Sequence, residues 1–115
     1  MVQDDMTVNE LFISTRLKLD EHNLKEWQIA FHATKRSIGL CQYDKKRLSF
    51  SIYWLDKMKD YEWNNIILHE IAHALTGPGH GHDRLWRTMA HNIGLKVAED
   101  KYGCGELTTI RDMLT

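Results

Sequence analysis

The chain has 115 residues, 43% hydrophobic and 27% charged, with a formal net charge of -1. That balance fits one soluble domain able to bury a core without disulfide staples and excludes disordered and fibrous classes. No apolar run reaches the ~20 residues that span a bilayer, the opening MVQDDMTVNE lacks the basic and apolar regions of a signal peptide, and the near-zero charge supplies no global field for nucleic acid, so the expectation is a cytoplasmic protein without a membrane partner.

Thr7 ahead of Glu10 has the spacing of a capping box. With Val8, Leu11, Phe12, Thr15, Leu17 and Leu19 behind it, the pattern predicts an amphipathic helix from Thr7 to about Leu24. Trp27, Ile29, Phe31 and Ala33 alternate with Gln28, Ala30, His32 and Thr34, as a half-buried strand does, and Ile38 to Tyr43 is a second short candidate. The third strand is the clearest, with Leu48, Phe50, Ile52 and Trp54 at period two. Tyr43-Asp44-Lys45-Lys46 reads as the polar turn of a hairpin joining the last two, and the expected sheet is three-stranded and antiparallel.

Lys35-Arg36 and Lys45-Lys46-Arg47 flank this strand pair, and Arg84 and Arg87 lie further on. Solvated turns and helix faces account for them better than a nucleic-acid track; any single-stranded DNA binding is expected to run through the first five and to weaken with salt. Cys41 and Cys104 have no CxxC spacing and read as ordinary thiols.

From Asp60, an expected N-cap, Trp63, Ile66, Ile67, Ile71, Ala74 and Leu75 follow helical spacing until Gly77-Pro78-Gly79 stops it. Asp83 is placed to cap another helix through Leu85, Trp86, Met89 and Ile93, ending near Gly94. The fold class expected is α+β, as a single domain over 1–115 with its core at about 7–96.

His69-Glu70-Ile71-Ala72-His73 is an HExxH motif inside the longer helix. At about 100° per residue the two histidines stand ~40° apart and one turn apart, so both can reach one metal ion. Glu70 falls ~60° beyond His73, beside the metal but turned from ligation, where a base toward metal-bound water belongs. Chance alone supplies such a triplet in roughly one chain in forty of this composition. The bland alternative is a helix with two surface histidines, and the apolar neighbours Ile67, Leu68, Ile71 and Ala72 argue against it. Hydrolytic zinc needs three protein ligands and an open position, and His80 and His82, just past the glycine-rich break, are both in reach as the third.

The segment HEIAHALTGPGHGHDRLWRTMAHNIG, His69 to Gly94, resembles the SprT-like family of zinc metallopeptidases, the group that includes the Spartan DNA-repair proteases. The family pattern is HExxH on a helix, a glycine-containing loop, and a third histidine beginning a helix with an aromatic residue four positions on; here that is His82-Asp83-Arg84-Leu85-Trp86. The resemblance implies a small zincin-like domain, with an N-terminal helix, a small sheet at about 27–54, the HExxH helix and a third-ligand helix. It also points to His82 as the third ligand, as does register: His82 stands at a helix entrance, whereas His80 lies between two glycines, where the backbone is least constrained. Many members carry a C-terminal zinc ribbon, and the single Cys104 supplies none here, so no ribbon is expected. The metzincin pattern HExxHxxGxxH fails by register, because Gly77 and His80 each come one residue late.

The expected function is therefore a zinc-dependent metallopeptidase. His69, His73 and His82 hold Zn2+, Glu70 is general base toward water, and the substrate is a protein or peptide, with DNA-associated proteins implied by the resemblance. Tyr53, Tyr61, His80, Arg84 and His91 are candidates for stabilising the oxyanion. The competing readings are a zinc-containing protein- or nucleic-acid-binding module with negligible turnover, and a hydrolase of another bond such as a cell-wall amide or a nucleotide.

Overall fold

A computed structural model describes residues 6–95 of the chain. Cys104 and the charged segment beyond residue 95 lie outside the described residues.

Helix α1 (Val8–Glu21) opens on the expected capping box. The Glu10 amide donates to Thr7 Oγ1 at 3.1 Å and the Thr7 amide donates to Glu10 Oε1 at 2.9 Å, so two amides that the helix cannot pair internally are satisfied. Leu11, Thr15 and Leu19 face inward. The helix ends three residues earlier than its apolar pattern suggests, because Asn23 turns left-handed (φ 63°) and the Leu24 amide returns to the Leu19 carbonyl. Arg16 then ties the turn down by donating to the carbonyls of Trp27, Leu24 and Lys25.

Strands β1 (Gln28–His32), β2 (Gly39–Gln42) and β3 (Arg47–Ser51) form one sheet in the order β1-β3-β2. The hairpin is present, with β2 antiparallel to β3 across a single 3-10 turn at Tyr43–Lys45. The expectation of a wholly antiparallel sheet is corrected, because β1 runs parallel to β3, Ile29 beside Leu48 and Phe31 beside Phe50. After β1 the chain passes across the end of β3 and returns down the far edge. Ser51 secures this crossing: its amide donates to the Ile38 carbonyl at 2.8 Å and its hydroxyl to the Thr34 carbonyl at 2.6 Å. The crossing also ends β3 at Ser51, so Ile52–Trp54, expected to prolong the strand, form a 3-10 turn instead.

One sheet face, with Ile29, Phe31, Leu48 and Phe50, packs with α1 against helix α2 (Asp60–Thr76). The N-cap of α2 is Lys59, whose amide donates to Glu62 Oε1 at 2.8 Å. Asp60, expected in that role, is instead the first helical residue and places negative charge near the helix dipole's positive end. Helix α3 (Arg84–Asn92) covers the opposite side of α2, where Ala72, Trp86, Ala90 and Leu95 make a second, smaller core. Sandwiched between two cores, α2 is buried almost all round from Ile66 to His73. No helix among the described residues is long and apolar enough to cross a membrane.

Candidate metal centre

Because α2 has cores on both sides, the residues of its HExxH motif separate by direction. His69 and His73 lie on the side facing α3, whereas Glu70, one residue along, lies on the side facing β2. His69 and Glu70 are each only 1% exposed.

The third histidine arrives from the loop after α2. Gly77, Gly79 and Gly81 have φ values of 89°, 91° and 57°, a sequence of left-handed positions that lets the chain double back within a few residues. Asp83 then caps α3, accepting from the Trp86 amide on Oδ1 at 3.1 Å, while its Oδ2 meets His80 Nδ1 at 3.0 Å. These contacts, the Trp86 amide first and the His80 ring second, hold the Asp83 carboxyl below the usual carboxylate range.

His82, directly before that cap, points back at α2. Its Nε2 lies 3.1 Å from His69 Nε2 and 3.2 Å from His73 Nε2. A ring nitrogen carries either a proton or a lone pair, so His82 Nε2 cannot donate to one neighbour and accept from the other. Three lone pairs turned toward one cation would fit this arrangement. Nitrogens bound at about 2.0–2.1 Å around a tetrahedral zinc stand roughly 3.3 Å apart, close to the spacing found. His69, His73 and His82 thus form a group that could hold a metal ion, and it is the one such group among the described residues. His80 is directed to Asp83.

Glu70 reaches β2 at Gly39, where the strand approaches very closely. A Cβ at residue 39 would stand 3.2 Å from both Cγ and Oε2 of Glu70 and 3.1 Å from Ile66 Cγ2. Glycine here makes space for the carboxylate. Motif spacing does not reveal Gly39 as part of the site, although a lone glycine in a strand pattern is a signal of close backbone approach. Cys41 lies on the same face of β2, and burial first, then the charge of Glu70, push its thiol up to about 12.

Of the oxyanion candidates, Tyr61, Arg84 and His91 are exposed, His80 meets Asp83, and the Tyr53 ring packs on Trp54 with the Lys57 and Lys35 ammonium groups 4.1 and 5.4 Å from its centroid. Of the five basic residues, Lys35 and Arg36 lie toward the Ser51 end of β3 and Lys45, Lys46 and Arg47 at its other end. Lys46 pairs with Glu26 at 3.2 Å, and Arg47 donates to Gln42.

Comparison with curated proteins returned no match. The SprT-like family model, in contrast, matches residues 8–104, a span that takes in α1, the sheet, the three histidines, Glu70 and α3. By that match over most of its length, the chain belongs to the SprT-like family.

Proposed function

We propose that the protein is a zinc-dependent metallopeptidase in which His69, His73 and His82 hold the ion and Glu70 is the general base. The observation that carries this reading is the convergence of three imidazole nitrogens beside a buried carboxylate that comes from the same helix but faces another direction. A bound Zn2+ would supply Lewis acidity, polarising a carbonyl and making water acidic enough to act near neutral pH.

The chain's own groups do the rest. Three neutral imidazoles leave the charge of the ion undiminished, unlike a site with a carboxylate ligand. Glu70, held against Gly39, is the group proposed to take a proton from water and pass it to the leaving amine. The substrate class proposed is protein or peptide, and proteins associated with DNA follow from kinship with repair proteases rather than from the geometry.

The test is Glu70→Gln, made beside the wild type with metal content and peptide cleavage measured on both. Equal zinc, with the rate lower by about 10²–10⁴, is expected when a general base is removed. A variant that loses its zinc would make Glu70 a ligand, and a zinc-loaded wild type without cleavage would favour the binding-module reading.

A further inference from the structure

The three imidazoles share a neighbour. The Trp86 indole stands 4.6 Å from the His82 ring, 4.8 Å from His69 and 5.2 Å from His73, centroid to centroid. All three separations lie in the range of direct aromatic packing. Trp86 is fully buried, and its Nε1–H meets no acceptor among the described residues, so the ring is held by packing alone. Ala72, Ala90 and Leu95 share its small core.

Rotation of an imidazole about χ2 is soft, with broad wells, so backbone position alone does not orient a histidine nitrogen. A metal site needs its ligands within about 0.5 Å and 10–20° of the productive arrangement. Two ligands here come from α2 and the third from the segment before α3, so the site also requires these two elements to keep their relative placement. Trp86 meets both requirements. It sits one turn into α3, its amide is fixed by the Asp83 cap one residue after His82, and its ring reaches across to α2.

Resting on the metal-site reading above, we propose that Trp86 is a positioning residue for that site: its indole is the common wall against which His69, His73 and His82 are set, and it joins the two elements that carry them. It touches no substrate and takes no part in proton transfer. Loss of the ring removes the shared wall of the three imidazoles and weakens metal binding, beyond what loosening the small core would do.

Trp86→Phe, Trp86→Leu and Leu95→Ala test this. Leu95 belongs to the same core, and its truncation controls for packing loss. Zinc affinity is read by competition with a chromophoric chelator, ligand geometry by the visible spectrum of the Co2+ form, and folding by circular dichroism. The expected loss for Trp86→Leu is ten- to a hundredfold, the scale on which groups that orient ligands act. Trp86→Phe is expected to lose less and to show a shifted Co2+ spectrum, with Leu95→Ala within about threefold of wild type and spectrally unchanged. If Trp86→Leu does not fold, Trp86→Phe against Leu95→Ala decides. Equal affinities and spectra for the tryptophan and Leu95 variants would overturn the proposal while leaving the metal site standing. A wild type that binds neither Zn2+ nor Co2+ would overturn both.

Discussion

Gly39 and Glu70 are in a contact so close that a methyl group on residue 39 would stand 3.2 Å from the Glu70 carboxylate and 3.1 Å from Ile66. Gly39→Ala is therefore expected to push α2 and β2 apart or to swing Glu70 aside. Overpacking of this kind costs about 1–3 kcal/mol, and the three histidines, on a neighbouring face of α2 and in the loop before α3, stay in place. Thermal denaturation and metal analysis, run with a cleavage assay, should show lower stability and a reduced rate at unchanged zinc content. A fully active Gly39→Ala would mean that the carboxylate position is not critical.

His80 and His82 are two residues apart and have different partners, Asp83 for the first and the two α2 histidines for the second. His82→Ala is expected to lower zinc affinity on the order of a hundredfold or more, the share of one ligand in a site of this kind. His80→Ala should stay within about tenfold, through a less firmly held loop. Titration of each variant against a chelator checks this, and the reverse ranking would move the third ligand to His80.

Metal removal should destabilise the fold, because the three histidines of the proposed site come from two elements and meet only when these are docked. Zinc at a hundredfold over its dissociation constant adds about 2.7 kcal/mol. For a domain of this size that corresponds to roughly 10 °C or more in melting temperature. Melting curves with zinc and with a chelator should differ by that amount, and coincident curves would indicate no folded-state metal site.

The Cys41 thiol, raised to about 12, is expected to be inert. At pH 8 only about one molecule in ten thousand carries the thiolate, the reactive form. Alkylation of the Cys41 peptide, followed by mass spectrometry, should be slow and rise tenfold per pH unit from 7 to 9 with no plateau. The same shift has a sign for stability: above the unfolded thiol's ordinary value of 9.0 the unfolded chain loses a proton that the folded chain keeps. Stability therefore falls as pH rises through that window.

Much of the candidate site was legible in the chain because its determinants are local. HExxH within a helical pattern places two imidazoles one turn apart whatever surrounds the helix, the Asp83 cap follows from a polar residue ahead of an amphipathic stretch, and the glycines before it announce the reversal that delivers His82. The capping box on α1 and the hairpin of β2 and β3 are local in the same sense. The pairing of β1 was not. Period-two alternation tells which face a side chain takes and says nothing about the neighbour or its direction, and the parallel pairing depends on a crossing secured by hydrogen bonds from Ser51 to Thr34 and Ile38. Gly39 against Glu70 and Trp86 against three histidines likewise join residues distant in sequence or on different elements, and only the packing of α2 between two cores brings them together. The grouping of the site's side chains was written in short-range spacing, while the walls around them arise from long-range contacts that periodicity does not encode.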